Sequence, residues 1–531
     1  MRLAKKPFIP LLVAGALMTG GVASAKTFIH CSEASPQGFD TALYDGSETL
    51  DYGPNIYNGL VRFTFGTTDI APDLAQSWDI SDGGKTIVFH LRKGIKFHKT
   101  DWFTPTRDFN ADDVIFSLMR QKEENNPYHN YAGPYLYFNA MGMPDLIKDI
   151  VKLDDYTVKL VLTKPDAAIL PDLKMEFALI LSKEYADQLL KAGTPELLNR
   201  KPVGTGPFQF VAYKKDAFVR MKANPDYYRG KQPIDNLVFA ITPDASVRYQ
   251  KLKKNECQTM PFPNLADLDA MKNDPNLKVM EWPGLNVGYL AYNTRRKPFD
   301  DVRVRKALNM AIDKKAIIKA VFHGEGTIAK NPMPPTVWGY NDEVKDDPYD
   351  PQAAKALLKE AGVSKLKMKL WAMPVQRPYN PNARRMAELI KADWAKISVR
   401  AEIVTYEWGE YLKRSRAVDR DGAVLLGWTS DNGDPDNFLG TLLDCDAVGS
   451  NNMAQWCYGP YEALIQKAKT LVGQRDKRAE LYRQAQVIFK AQAPWATIAH
   501  SKVHVPMRKN VMGYHKDPLD RHDFEGVDLV E

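Results

Sequence analysis

From residue 26 onward, short alternating or wholly apolar runs are separated by segments with apolar residues at helical spacing. Period-two alternation and short apolar runs bounded by turn residues predict strands. These strands are expected at residues 28–30, 158–162, 208–211, 367–371, 399–404 and 423–426, with a hairpin over 85–98 that turns at 93–94. Helices are expected over 51–63 and 246–255, and also after Asn110 and Asn380. Strands and helices that alternate in this way are typical of an α/β protein.

One predicted strand, the apolar run 423–426, leads into a loop rich in charged and turn-forming residues. The run is too short for a helix, so a buried strand is expected. The loop 427–438 carries Trp428, Asp431 and two further aspartates. Ligands in open α/β sheets sit beyond the carboxyl ends of strands, so this acidic loop predicts a pocket for a cationic group. The alternative is a solvated turn, because Asp, Asn, Gly and Pro are ordinary turn residues.

A second loop, residues 372–381, follows the predicted strand 367–371. Asn380 is placed as a helix cap and Pro381 at the first helical position, before another strand over 399–404. This strand, loop, helix and strand form a βαβ unit, so Arg377 also lies at the carboxyl end of a strand. The same sheet edge therefore offers an arginine and an aspartate. A ligand with a carboxylate at one end and an ammonium at the other would match them.

The first 25 residues have the form of a secretory signal peptide. Basic residues near the start precede an apolar core over 11–18 and a small-residue cleavage site at Ala23-Ser24-Ala25. The residue directly after the predicted cut is Lys26 and not a cysteine, which argues against a lipid anchor, and no later apolar run is long enough to span a bilayer. We therefore expect a mature protein cleaved after Ala25 and exported to the periplasm.

The charge balance gives no case for a nucleic-acid partner. Loss of three basic residues with the signal peptide lowers the formal net charge from +7 to +4. This is a mild excess for so long a chain, and the sequence lacks a dense Lys/Arg block.

The length of 531 residues exceeds what one core usually supports, so two lobes are expected. No flexible linker is evident, and residues 284–293 and 496–505 are the candidate strands that cross between the lobes. The predicted fold is a two-lobed α/β protein whose lobes are joined by hinge strands. Its expected parts are the signal peptide 1–25, lobe I over 26–283 with an extra subdomain at about 60–200, lobe II over 284–503, and a return to lobe I over 504–531.

Four cysteines in an exported protein suggest two disulfides, for which three pairings are possible. Cys445 and Cys457 bracket a short loop, while Cys31 and Cys257 each lie near the end of a strand-like run. We therefore expect pairs 445–457 and 31–257. A metal site is the alternative, but no Cys-x-x-Cys or clustered histidine accompanies them.

Several motifs together resemble the peptide- and nickel-binding family of extracytoplasmic solute receptors. They are IAPDLAQSW at 70–78, the segments 82–86 and 89–94, NADDVIFS at 110–117, PVGTGPF at 202–208 and DVRVRKAL at 301–308. The resemblance spans the mature chain and, within the family, is greatest to dipeptide receptors, notably at 241–249, 371–390 and 405–411. It implies the periplasmic binding protein fold, in a monomeric two-lobed receptor that closes on a dipeptide and delivers it to the permease of an ABC importer. No cofactor and no metal are expected.

The resemblance also implies roles for particular residues. Arg377 matches the arginine that holds the dipeptide carboxylate, and Asp431 matches the aspartate that takes the α-ammonium. Neighbouring ligand contacts are expected at Pro378, Tyr379, Trp428, Thr429 and Ser430. Asp45 stands where the dipeptide receptors have a threonine that contacts the ligand. Either this chain differs from them at that contact, or the alignment is offset at this position. The implied disulfides are the pairs already expected.

The site residues and the function also admit other interpretations. The alternative for Arg377 is a structural salt bridge, and for Trp428 and Tyr379 it is core packing. The tyrosine-rich segment 128–138 is a candidate wall of the pocket from the other lobe, with no assigned role. Another solute of the same family is possible: an oligopeptide, haem, aminolevulinate or a nickel complex. A secreted peptidase is disfavoured because neither His-Glu-x-x-His nor Gly-x-Ser-x-Gly occurs.

Overall fold

The structure is a computed structural model that describes residues 25–44 and 46–530. Its strands are β1 (Thr27–Ser32), β2 (Val61–Phe63), β3 (Ile70–Pro72), β4 (Ala75–Ser81), β5 (Thr86–Leu91), β6 (Ile147–Asp154), β7 (Thr157–Leu162), β8 (Phe208–Lys214), β9 (Phe218–Ala223), β10 (Asn236–Ile241), β11 (Leu277–Pro283), β12 (Asn286–Tyr292), β13 (Gly326–Ile328), β14 (Leu366–Trp371), β15 (Val399–Val404), β16 (Ala423–Thr429), β17 (Trp495–Arg508), β18 (Val511–Met512) and β19 (Asp528–Leu529).

The α-helices are α1 (Ser47–Leu50), α2 (Gly53–Ile56), α3 (Ala111–Lys122), α4 (Leu136–Ala140), α5 (Met143–Leu146), α6 (Ile169–Asp172), α7 (Lys183–Lys191), α8 (Ala245–Lys253), α9 (Leu268–Asn273), α10 (Val302–Met310), α11 (Lys314–Val321), α12 (Pro351–Glu360), α13 (Ala383–Ala395), α14 (Trp408–Ser415), α15 (Asp436–Leu439), α16 (Gly459–Thr470) and α17 (Arg475–Gln492). Within the described ranges, none of them combines the length and apolar character that crossing a bilayer requires.

A seven-stranded mixed sheet lies at the centre of the C-terminal half. Its order is β11-β17-β12-β16-β14-β15, and β13 also pairs with β17. The strands β16, β14 and β15 run parallel to one another, whereas the other neighbouring pairs are antiparallel. Two four-stranded sheets, β1-β10-β9-β8 and β4-β5-β7-β6, lie in the N-terminal half.

Two large hydrophobic cores define two lobes. Lobe I is built on a core drawn from residues 28–239, 282 and 503–527, and lobe II on a core drawn from Phe63 and residues 285–519. The sheet β4-β5-β7-β6 enlarges lobe I. This two-lobed α/β architecture was predicted and is confirmed, while the residue boundaries given for the lobes stay a prediction.

The long strand β17 passes from one core into the other. Trp495, Ala496, Ile498 and Ala499 pack in lobe II, whereas residues 503–507 contribute to lobe I. Its first part pairs with β12 and its second part with β11. We call the region where β11, β12 and β17 meet, residues 281–286 and 500–504, the hinge.

Two of the predicted elements near the N-terminus are wrong. Only the short helix α2 forms within 51–63, because the end of that segment is drawn into β2, which pairs with β3. The expected hairpin over 85–98 instead joins β4 to β5, with its turn at Asp82–Gly84. Gly83 and Gly84 there have φ angles of 61° and 95°, a conformation that glycine adopts without strain.

The helix after the second loop also starts later than predicted. Asn382, not Asn380, caps α13 by accepting a hydrogen bond from the Arg385 backbone at 3.0 Å. Asn380 is instead held in a tight turn, where its backbone exchanges hydrogen bonds with Arg377 at 2.9 and 3.1 Å. Asn110, by contrast, caps α3 as predicted.

Two disulfides join the expected cysteines. Cys31 pairs with Cys257 across a Cα separation of 5.8 Å, and Cys445 pairs with Cys457 across 4.6 Å. The first lies in a small hydrophobic core with Tyr249. The second closes the short loop that follows α15 in lobe II.

Candidate functional site

Asp431 and Arg377 follow two neighbouring parallel strands of the central sheet. Asp431 comes after β16 and Arg377 after β14, and these two strands pair in parallel. Both loops therefore leave the same edge of the sheet, as predicted. The strand β16 extends three residues beyond the prediction, so Trp428 and Thr429 belong to the strand and only the residues after them form the loop.

A network of neutral groups holds the Asp431 carboxylate, which is only 5% exposed. The side-chain amide of Asn437 donates to Oδ2 of Asp431 at 3.2 Å. In return, Oδ1 of Asn437 accepts from the Asp431 backbone N–H and from the Trp428 indole N–H, each at 2.9 Å. Trp428 therefore positions the site rather than serving only as core packing.

Lobe I supplies another donor to the same carboxylate. The hydroxyl of Tyr137, at the start of α4, donates to Oδ1 of Asp431 at 2.9 Å. Burial, together with the adjacent Asp431 charge, raises the pKa of Tyr137 well above its ordinary value, so this hydroxyl stays protonated. Sequence reasoning singled out this tyrosine-rich segment without giving Tyr137 a role. The density of aromatic residues was the signal.

A buried ion pair anchors the segment that presents Tyr137. Arg120 and Asp40 are fully buried and paired through two hydrogen bonds, at 2.6 and 2.8 Å. Arg120 also donates to the Tyr135 hydroxyl at 3.1 Å, while the Tyr131 hydroxyl donates to Asp40 at 2.5 Å. Two tyrosines on the N-terminal side of Tyr137 are thus fixed to the body of lobe I.

Asp431 forms no salt bridge within 4.0 Å with any cationic side chain of the described residues. The cations nearby have other partners. Arg478 pairs with Asp434 at 2.8 Å, and Arg521 pairs with Glu176 at 3.0 Å. Because a carboxylate offers about four acceptor positions, Asp431 keeps room for a cationic donor beyond Tyr137 and Asn437.

The electrostatic state of Asp431 follows from this environment. Burial raises the pKa of Asp431 to about 6, opposed by the positive charge of Arg521 and by the hydrogen bonds from Tyr137 and Asn437. A cation at the carboxylate would lower that pKa, because an opposite charge favours the ionised form. The site therefore suits an ammonium group at neutral pH.

Arg377 presents its charge on the exposed side of the second loop. Its guanidinium lies 5.2 Å from the centroid of the Trp408 ring and donates to the carbonyl of Gln376 at 3.0 Å. Among the described residues, no carboxylate lies within 4.0 Å of it, which argues against a structural salt bridge. A guanidinium held this way presents planar donors suited to a carboxylate.

Tyr379 brings the two loops together. It is buried, and a Cβ at Gly427 would lie 2.2 Å from its ring, while a Cβ at Gly288 would lie 2.4 Å from its carbonyl oxygen. Only glycine at these two positions permits so close an approach. The loop that carries Arg377 thus packs directly on β16, which leads to Asp431, and on the neighbouring strand β12.

The other predicted contact residues have distinct settings. Ser430 is buried in the turn, where its hydroxyl accepts from the Gly433 backbone at 2.8 Å. Thr429 and Pro378 are half-buried next to their respective loops. Asp45 lies outside the described residues. Ligand contacts at all of these positions remain predictions.

Further contacts show that the two lobes touch across the cleft. Asn432 donates to Asp172 of lobe I at 2.7 Å, and the Ala167 backbone donates to the carbonyl of Lys469 at 2.8 Å. Burial and then the nearby Asp166 charge raise the pKa of Asp172 well above its ordinary value. Asp172 carries no signal in the local sequence pattern, because its partner lies 260 residues away along the chain.

Comparison with known proteins places the chain in a defined group. The model of the bacterial extracellular solute-binding proteins, family 5 Middle, matches residues 69–450. The chain is 57% identical over 518 residues to the dipeptide-binding protein of Escherichia coli strain K12, covering 97% of this chain and 96% of that protein. It is also 51% identical to heme-binding protein A of Haemophilus influenzae, covering 95% of this chain and 93% of that protein. These relatives are binding proteins rather than enzymes.

A solved structure agrees over almost the same extent. The dipeptide-binding protein from Pseudoalteromonas sp. SM9913, in complex with Met-Leu, superposes with a TM-score of 0.85 at 37% identity. The match covers 95% of this chain and all of that one.

Proposed function

This chain belongs to the bacterial extracellular solute-binding proteins of family 5, and we propose that it is a periplasmic receptor that binds dipeptides by their charged ends. The high identity to a dipeptide-binding protein over nearly the whole chain supports this substrate class. The site supplies the matching chemistry: a buried carboxylate for the ammonium and an arginine for the carboxylate.

The observation that carries the proposal is the Asp431 carboxylate. It is buried where the two lobes meet, and the two side chains of the described residues that donate to it, Tyr137 and Asn437, are neutral. A buried carboxylate is unfavourable unless it gains a compensating charge. The α-ammonium of a peptide provides three N–H donors and that charge.

Arg377 completes the recognition at the other end of the ligand. It lies on the loop that packs through Tyr379 against Gly427, so both ends of the site rest on one rigid sheet. A long peptide would need at least one terminus left unclamped, and two charged clamps therefore favour a short ligand.

The remaining parts of the proposal concern processing and delivery. The precursor is cleaved after Ala25, and the monomeric receptor hands its dipeptide to the permease of an ABC importer in the inner membrane. It performs no chemistry on the ligand. Mass spectrometry should accordingly recover the dipeptide intact after prolonged incubation with the protein.

Calorimetric titration with Met-Leu, N-acetyl-Met-Leu and Met-Leu amide tests the proposal. Removing one partner of a buried charge pair costs about 2 to 5 kcal/mol. Asp431→Ala or Arg377→Ala should therefore weaken Met-Leu binding by roughly thirtyfold to several thousandfold. The natural protein should not bind N-acetyl-Met-Leu. On Asp431→Ala, the affinity for this acetylated peptide should differ far less from the affinity for Met-Leu. Met-Leu amide should show the same pattern on the natural protein and Arg377→Ala.

Matched controls are Asp187→Ala and Arg384→Ala, which alter exposed side chains in surface ion pairs. Both should bind Met-Leu like the natural protein. Equal affinity of the natural protein for Met-Leu and its acetylated form would refute the role of Asp431 and direct attention to Asp45.

Haem is the competing ligand, because one similar protein is the heme-binding protein A of Haemophilus influenzae. Its propionates are anionic and would face the Asp431 carboxylate unfavourably. We therefore expect no haemin binding in the cleft, and displacement of Met-Leu by haemin in the same titration would favour the alternative.

A further inference from the structure

A histidine in the hinge lies between two carboxylates. His504, on β17, is 5% exposed and faces Glu281 on β11, its partner in the strand register. Its Nδ1 is 3.6 Å from Glu281, and its Nε2 is 3.7 Å from Glu325, which lies between α11 and β13. The cluster therefore joins a strand pair of lobe I to a loop of lobe II.

Neither ring nitrogen of His504 has a hydrogen-bond partner. His30, His500 and His522, which are also buried, each leave only one ring nitrogen unpartnered. Buried polar atoms are nearly always hydrogen-bonded, and exceptions often mark a missing water or ion. The environment of His504 therefore calls for a partner that the protein itself does not supply.

We propose that Glu281, Glu325 and His504 form a binding site for a divalent transition-metal ion of the zinc class, located in the hinge. One ligand atom from each residue can be chosen so that all three lie within 4.8 Å of one another. Ligands around tetrahedral zinc stand about 3.3 Å apart, as follows from metal–ligand bonds of about 2.0 to 2.2 Å. Shortening the distances among the three ligand atoms by roughly 1 Å would assemble the site, with water as the fourth ligand of the metal.

The chemistry of the donor set suits a metal. His504 offers an imidazole nitrogen, and Glu281 and Glu325 offer carboxylate oxygens. A nitrogen ligand together with carboxylates favours zinc over magnesium, which prefers oxygen ligands alone.

Two lysines compete with the metal for the carboxylates. Lys272 lies 2.9 Å from Glu281, and Lys502 lies 3.1 Å from Glu325. Their side chains are 35% and 39% exposed, so each ammonium can turn into solvent when a cation takes its place. In the present arrangement neither ring nitrogen of His504 has a hydrogen-bond partner, whereas a metal would be bound through the lone pair of one imidazole nitrogen.

The test is calorimetric titration of the tag-free mature protein with Zn²⁺, after removal of metals with a chelator. We expect one Zn²⁺ to bind, and His504→Gln and Glu325→Gln each to weaken binding by about a hundredfold or more, since even indirect partners of a metal contribute about 10- to 100-fold. Lys272→Met should tighten binding, because it removes a competitor. His90→Gln, which alters an exposed histidine elsewhere in the fold, should change nothing.

Cobalt gives a second measurement that reports geometry. Co²⁺ bound at three protein ligands and water should show visible absorption bands that vanish in Glu325→Gln, an informative variant even if His504→Gln fails to fold. Absence of Zn²⁺ binding to the natural protein, or unchanged binding in Glu325→Gln, would overturn the proposal. These outcomes do not depend on Met-Leu binding and leave the proposed function unaffected.

Discussion

Tyr137 of lobe I donates a hydrogen bond of 2.9 Å to Asp431 of lobe II, across the cleft that separates the two cores. One end of the candidate site is therefore complete only when the lobes touch. We expect such a bond to couple ligand capture to closure of the lobes, because the carboxylate proposed to hold the ammonium also receives a donor from lobe I.

Replacing Tyr137 tests this coupling. Tyr137→Phe removes one donor to a charged acceptor, worth about 1.5 to 3 kcal/mol, so the Kd for Met-Leu should rise roughly 10- to 150-fold. Small-angle scattering should also show a larger radius of gyration at equal ligand occupancy. Tyr156→Phe, on the connection between β6 and β7, is the control and should leave both quantities unchanged. A Tyr137→Phe variant with natural affinity would mean that the bond does not contribute to binding.

The pKa of Asp431 predicts how affinity changes with pH. The carboxyl group titrates near pH 6 and must be ionised to hold an ammonium. At about pH 7 the natural protein should therefore bind Met-Leu more tightly than Asp431→Asn does. The ratio of the two affinities should fall about tenfold between about pH 7 and about pH 5. Titration calorimetry at both pH values, with the variant as reference, separates this effect from other groups. A ratio that does not change with pH would contradict the assignment.

Protonation of Asp172 should strengthen Met-Leu binding, whereas protonation of Asp431 should weaken it. Contact between the lobes buries it near Asp166, Asp434 and Asp436, which raises its pKa well above the ordinary value. Its protonated form thus favours closure, and that contribution is lost as the pH rises. Asp172→Asn keeps an acceptor for Asn432 and should tighten Met-Leu binding by roughly tenfold near pH 7.5, with less gain near pH 5. Weaker binding at both pH values would show that the charge assists closure instead. Asp187→Asn, at an exposed position, is the control.

The ion pair between Arg120 and Asp40 predicts a stability effect. Arg120→Met leaves a fully buried carboxylate without its partner, so the free energy of unfolding should fall by about 3 to 5 kcal/mol. Urea unfolding followed by tryptophan fluorescence measures this change. Arg384→Met removes an exposed arginine and should change stability by no more than about 0.5 kcal/mol. Equal stability of the two variants would be inconsistent with a structural role for the buried pair.

Local sequence patterns determined a large part of this protein. The strands β14 and β16 were predictable because short apolar runs, turn residues and helix caps act over a few neighbouring residues. The position of Arg377 and Asp431 beyond the same edge of the sheet followed, because parallel strands share the direction of their carboxyl ends. Motif resemblance added the family and the proposed role of each residue. Asn380 and Asn382 are both suitable helix caps, and the start of α13 was therefore predicted two residues too early.

Tertiary structure alone decided which distant groups meet. Tyr137 and Asp431 lie 294 residues apart, and their hydrogen bond exists because two lobes with separate cores touch one another. Asn432 with Asp172 and His504 with Glu325 are further contacts between the two lobes. Burial and pKa depend on the sum of all surrounding atoms, contributed by segments with no common pattern in the sequence. Local patterns therefore placed the charged residues, and long-range packing set their exposure, their protonation and their partners.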